Sequence, residues 1–144
     1  MVVVQPSVYG TDNRCMLDAL DRLDGRGRGV AVLGEQDTDM VHLRALHLRG
    51  VRGLRLNLDS AGLRDAAAAR RTLVRWAERL ADLGWHLQLY AALDVFVALA
   101  EALATLPVPV VLDLFALVPP LLAADDAQAS TLLALLRSGN AWIK

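Results

Sequence analysis

Read at a two-residue period, Gly84-Trp85-His86-Leu87-Gln88-Leu89-Tyr90 puts His86, Gln88 and Tyr90 on one face and Leu87 and Leu89 on the other. Such a polar face can bind and orient a hydrogen-bonding ligand. A second run repeats the pattern, with Arg55 and Asn57 set against Leu54, Leu56 and Leu58. An arginine turned inward must find an anion or a buried acid. Arg55 therefore holds a substrate carboxylate or pairs internally with Asp113, and the spacing leaves both open. Asp113 is itself either an acid or base of the reaction or a structural carboxylate. The third polar group is the stretch Pro6 to Asn13, where Ser7, Tyr9, Thr11 and Asn13 supply donors and acceptors around Gly10. It precedes a helix N-terminus, which favours an anionic oxygen, although Thr11, Asp12 and Asn13 are also ordinary capping residues.

The histidines do not make a metal set. His42 and His47 are five apart on one expected helix and so point about 140° from each other, unlike an i, i+4 pair. Both are expected at a surface or interface. His86 opens its strand and is expected near the bottom of the sheet. Trp76 and Trp85 read as packing residues, Trp142 shares a face with Lys144, and Arg52 reads as a solvated loop charge.

Six β-rich runs alternate with five helical stretches. The runs are Val2 to Gln5, Gly29 to Leu33, Gly53 to Leu58, His86 to Tyr90, Val108 to Asp113 and Ala141 to Lys144. The helices are expected over about Asn13 to Leu23 with Asp12 as cap, Thr38 to Leu48 after Asp37, a long stretch ending near Leu83, Leu93 to Thr105, and Asp126 to Arg137. Each has an apolar stripe, such as Leu73, Trp76, Leu80 and Leu83. Alternation at this spacing implies an α/β fold of parallel βα repeats with right-handed crossovers, in one domain over residues 1–144. Leucines on one face and polar side chains on the other suggest a barrel, and where such units close into one the site lies at the C-terminal ends of the strands.

With 144 residues and 55% hydrophobic composition the chain can bury a real core. A formal charge of −1 gives no field for nucleic acid or an anionic membrane surface. The apolar segment Leu87 to Ala124 is broken by Asp94, Glu101, Asp113 and four prolines, short of the ~20 residues a spanning helix needs. A lone Cys15 and no visible export signal fit a reducing, cytoplasmic setting.

The run Val3 to Asn13, with Gly50 to Asn57, Trp85 to Tyr90, Val110 to Asp113 and Gly139 to Lys144, resembles the amidohydrolase superfamily. More closely it is similar to the branch containing 2-pyrone-4,6-dicarboxylate lactonase. The resemblance implies that these βα repeats form part of a TIM-like (β/α)8 barrel hydrolysing an ester, lactone or related bond on a small carboxylated substrate. It places Ser7 and Tyr9 in a substrate-contacting loop, makes Arg55 a carboxylate-binding arginine, and sets Gln88 and Tyr90 on the pocket wall. The branch is expected to work without a cofactor, although a divalent metal serves some full-length relatives.

By that pattern the chain starts inside barrel strand two and stops inside strand seven, so the strands carrying His-x-His and the terminal catalytic Asp are absent. Leu114 also follows Asp113 where the pattern has histidine. The expectation is a hydrolase-type domain without activity of its own, or alternatively a non-catalytic βα scaffold. Two open sheet edges imply self-association into a homo-oligomer.

Overall fold

The computed structural model describes residues 1–34, 36, 37, 39–58 and 65–144. Six strands alternate with five helices: β1 (Val2–Val4), α1 (Arg14–Arg22), β2 (Arg28–Ala31), α2 (Met40–Leu48), β3 (Val51–Asn57), α3 (Ala66–Ala81), β4 (His86–Tyr90), α4 (Leu93–Thr105), β5 (Val110–Leu112), α5 (Ala127–Arg137) and β6 (Ala141–Ile143). All strands are parallel and pair in chain order from β1 to β6. This is the α/β arrangement expected of part of a (β/α)8 barrel wall.

Register separates the two faces of the sheet. Leu54, Leu87, Val110 and Ala141 line up across β3 to β6, as do Leu56, Leu89, Leu112 and Ile143. These leucines and valines join the helices in one hydrophobic cluster. Arg55, Gln88, Val111 and Trp142 form the alternate row, with Asn57 opposite Tyr90 and Gly53 opposite His86. The helices cover the apolar rows with stripes of their own: Met16, Leu17 and Leu20 on α1, and Ala69, Leu73, Trp76, Ala77 and Leu80 on α3. Trp76 and Trp85 are fully buried packing residues, as their positions suggested. Among the described residues no helix is long and apolar enough to cross a membrane.

Several helix starts shift from the sequence expectation because a different side chain satisfies the first turn. Asp39, not Asp37, caps α2 by accepting from the Val41 N–H at 3.1 Å, while Asp37 accepts from the Gly34 N–H at 2.8 Å. The expected start at Thr38 lies outside the described residues. Asp65 and Asp126 cap α3 and α5 through Ala67 and Gln128. Asn13 takes the cap position of α1 without a side-chain capping bond, and Asp12 instead grips Arg14 through both its backbone and its guanidinium.

Arg52 is not a loop charge. β3 begins at Val51, because Gly50 with φ +98° turns the chain directly out of α2, and the Arg52 guanidinium donates to the His47 and Val51 carbonyls. At this end of the sheet the buried Trp85 indole N–H donates to His47 Nδ1 at 3.0 Å. That bond needs the neutral imidazole, since both nitrogens of the cation are donors. Burial, helped by the Arg52 charge, holds the His47 pKa below its ordinary 6.5.

The most unusual backbone follows β5. Leu114, Phe115, Ala116 and Leu117 have φ of +48°, +54°, +56° and +49°, a left-handed turn built without glycine. Each such residue costs roughly 1–2 kcal/mol. Three bonds keep it closed: Phe115 N–H to the Lys144 carbonyl at 2.9 Å, Ala116 N–H to the Asp113 carbonyl at 2.9 Å, and Val118 N–H to the Phe115 carbonyl at 3.2 Å. Ala116 is buried, but Leu114 and Phe115 are 57% and 72% exposed, so their side chains recover little of the cost.

Two outcomes are expected. Because the folded-state value of His47 is lowered, its contribution is complete above pH 6.5 and is lost as pH falls below 6.5 toward that value. Urea unfolding followed by tryptophan fluorescence between pH 8 and pH 5 should show the midpoint fall over that window, with a smaller fall in His47→Gln. Phe115→Gly should raise stability by about 1 kcal/mol in the same assay, opposite to the usual effect of a glycine substitution.

Candidate functional site

The polar face of the sheet converges on one carboxylate. Asp113, one residue past β5, is 4% exposed and is held in place by its own N–H, which donates to the Leu89 carbonyl at 2.8 Å. Its Oδ2 accepts from Arg55 Nε at 2.9 Å and from Gln88 Nε2 at 2.9 Å, and its Oδ1 accepts from Lys144 Nζ at 3.0 Å. Arg55 reaches on through Nη1 to Ser7 Oγ at 2.8 Å, and its guanidinium carbon lies 5.7 Å from the centre of the Tyr90 ring. Side chains from β3, β4 and the ends of β5 and β6 thus meet a loop residue that follows β1. They meet where strand C-termini deliver them.

Electrostatics fix the state of the cluster. Burial alone would raise the Asp113 pKa, but hydrogen bonds from Gln88, Arg55 and Lys144 outweigh it and hold the carboxyl below its ordinary value. Among the described residues two cations then face one anion. Three donors already point at the carboxylate, so Asp113 is poorly placed to exchange protons with a substrate. The same donor set does not suit a divalent metal, which would have to sit between a guanidinium and an ammonium. Among the described residues no group of three His, Cys, Asp or Glu side chains is arranged to hold a metal.

The structure sorts the residues singled out by the sequence. Ser7, Arg55, Gln88, Tyr90 and Asp113 come together, and Arg55 does make the internal pair with Asp113 that its spacing left open. Tyr9 lies on the same loop, half exposed, in a short 3-10 turn over Ser7–Tyr9. Asn57 sits opposite Tyr90 in the register and has an interaction of its own. Asn13 is engaged elsewhere: its amide donates to the Thr11 and Val32 carbonyls, and its Oδ1 accepts from the Val32 N–H at 3.1 Å. It is a backbone clasp extending past β2, so its polar atoms are already satisfied.

His86 lies at the opposite end of β4 from Tyr90, its ring over Gly53 where any Cβ would collide with it. Burial lowers its pKa, opposed by a backbone hydrogen bond with Arg52 and assisted by the charge of Lys144. His42 is on the surface. Lys144 was missed as a site residue, although the alternation Ala141-Trp142-Ile143-Lys144 already set it on the polar face. Gln5 was also missed; fully buried, it donates to the Asp12 carbonyl at 2.7 Å and so anchors the loop bearing Ser7.

Comparison with known proteins gives this arrangement a family. The sequence model of the amidohydrolase family matches residues 1–144. A 2-pyrone-4,6-dicarboxylate hydrolase from Comamonas testosteroni is 34% identical over 144 residues, covering 99% of this chain and 46% of its own. A 4-sulfomuconolactone hydrolase from Hydrogenophaga intermedia is 30% identical over 146 residues, with the same coverage of 99% and 46%. The chain therefore spans about half the length of these curated relatives. A solved structure from Acinetobacter baumannii, described as a probable 2-pyrone-4,6-dicarboxylic acid hydrolase with citric acid bound, superposes with a TM-score of 0.81 at 32% identity, over 99% of this chain and 52% of the other. The resemblance read from the five sequence segments is borne out: the chain belongs to the amidohydrolase family, a family of hydrolases, on the side of its 2-pyrone-4,6-dicarboxylate lactonase-like members.

Proposed function

We propose that this chain forms the carboxylate-binding wall of a lactone- or ester-hydrolase site, with Arg55 as the group that holds the substrate carboxylate. The observation that carries this reading is the cluster around Asp113, in which one buried carboxylate faces two cations among the described residues. A guanidinium braced by Asp113, Ser7 and Tyr90 has lost most of its rotamer freedom before a ligand arrives. Less entropy is then lost on binding. The relatives named for a pyrone dicarboxylate and a sulfomuconolactone, and the neighbour with citric acid bound, all involve small acidic molecules.

Lactone hydrolysis needs water attack on the carbonyl carbon, a group to take the water proton, and a donor to the developing oxyanion. Arg55 and Ser7 can orient a carboxylated substrate, and positive charge here would stabilise negative charge as it develops. The proton-accepting step has no candidate in this cluster. Asp113 is saturated with donors and its carboxyl is held low, while Leu114 follows it in sequence. The chain by itself accordingly binds acidic ligands without turning lactones over.

Citrate should raise the melting temperature of the chain in a concentration-dependent way. Arg55→Lys should remove most of that rise and Arg55→Ala all of it, while 2-pyrone-4,6-dicarboxylate should show no hydrolysis in an ultraviolet assay. A wild-type chain indifferent to citrate would overturn the binding reading, and turnover of the pyrone would overturn the inactive one. Separately, Asp113→Asn should destabilise the fold by about 3 kcal/mol, because it leaves two cations without their shared buried anion. Chemical denaturation at pH 7 checks this. Since the Asp113 value is depressed, its stabilisation is present above the ordinary carboxyl value of 3.8 and is lost as pH falls through its lower folded value.

A further inference from the structure

The end of the sheet opposite Asp113 brings two further arginines together. Between Gly29 and Val30 on β2 the pairing steps from Val51 to Gly53, so Arg52 is an extra residue of β3 with no partner across the pair. A bulge between parallel strands is rare and re-aims a side chain out of the regular alternation. Arg52 lines a groove of about 450 Å³ between the ends of α1 and α2, and Arg28, the first residue of β2, lines it too. Glycines let the backbone close up around this groove: a Cβ on Gly50 would stand 3.3 Å from the Gly27 carbonyl.

Neither arginine pairs with a carboxylate among the described residues. Arg52 donates through Nη1 to the His47 and Val51 carbonyls at 2.7 Å, and Arg28 donates through Nη1 to the Gly25 and Gly27 carbonyls at 2.8 and 2.7 Å. These bonds orient both guanidiniums while leaving Nε and Nη2 of each without an acceptor among the described residues. Asp21 and Asp24 also line the groove, but Asp21 is engaged by Arg49 and Asp24 makes no ion pair with Arg28 or Arg52 among the described residues. Burial, assisted by the Arg28 charge, lowers the pKa of Arg52. Two like charges held in one groove without a shared carboxylate disfavour each other until an anion joins them.

We propose that this groove is a binding site for a phosphate group, held between the free N–H groups of Arg28 and Arg52. A guanidinium fork matches two phosphate oxygens, and a tetrahedral anion offers further oxygens to a second fork set at another angle. A planar carboxylate has only two. The last turn of α2 would by itself repel an anion, and the Arg52 bond to the His47 carbonyl covers that partial charge. The groove volume leaves room for a small group esterified to the phosphate. The site stands apart from the Asp113 cluster and does not depend on the carboxylate reading of Arg55.

The test is titration of the isotope-labelled chain with inorganic phosphate and, separately, phenyl phosphate at constant ionic strength, read by backbone amide and arginine Nε–H chemical shifts. Wild type should show saturable shifts at Gly27, Gly50 and the Nε–H groups of Arg28 and Arg52, with a Kd of about 1 mM. Arg28→Gln and Arg52→Gln should each weaken binding about tenfold, the loss of one charge-assisted contact, while Arg28→Lys keeps most of it. Arg28 is exposed, so its variants carry the test if Arg52→Gln does not fold. Tighter binding of phenyl phosphate identifies an esterified ligand and equal binding identifies free phosphate; both uphold the site. Shifts that do not saturate, that appear at Arg55 and Ser7 instead of the groove, or that survive Arg28→Gln unchanged overturn it.

Discussion

One buried carboxylate organises the polar half of this molecule. Asp113 sits where β3, β4, β5 and β6 deliver side chains to a single point, and each donor comes from a different segment of chain. A charge so deep in a protein is costly unless every lone pair is met. Here an arginine, a glutamine amide and a lysine meet it. The requirement runs both ways, because Arg55 would itself be a buried cation without Asp113. The carboxylate that limits proton transfer is thus the same one that makes an oriented cationic surface possible.

The apolar half follows from the other set of alternate residues. Leucine and valine rows on β3 to β6 accept helices whose stripes repeat at helical spacing, and this accounts for most of the buried side chains. The two faces share a backbone, so register decides both. A one-residue slip of β4 would carry Leu87 and Leu89 into the polar cluster and Gln88 into the helix-packed core. The core and the site are therefore specified together.

Much of this was legible in the sequence wherever a pattern repeats often enough to average out noise. The alternation in His86 to Tyr90 and in Leu54 to Leu58 set the faces correctly, and the pairing of Arg55 with Asp113 stood as one of two alternatives. Lys144 was harder, because its strand offers only two alternations and a lysine just past a short strand is usually solvated. Asn13 misled because a polar residue at a helix start reads the same whether its amide faces a ligand or clasps a neighbouring strand. Arg52 misled because Gly50 allows β3 to begin two residues before the alternation becomes clear. Leu114 to Leu117 carried no local signal of a left-handed turn, since such a composition favours a right-handed helix. Only the tertiary bond from Phe115 to the Lys144 carbonyl reveals what holds it.

That bond makes the turn a latch whose closure depends on β6. Four left-handed residues cannot hold themselves, and their anchor lies at the far end of the next strand, after α5 has crossed back. The unfavourable torsions of the turn are offset only where β6 is docked. Any fraying of β6 would release the latch and withdraw Lys144 from Asp113 in the same motion. The hold on the Lys144 ammonium and the closure of the strained backbone thus depend on the same strand.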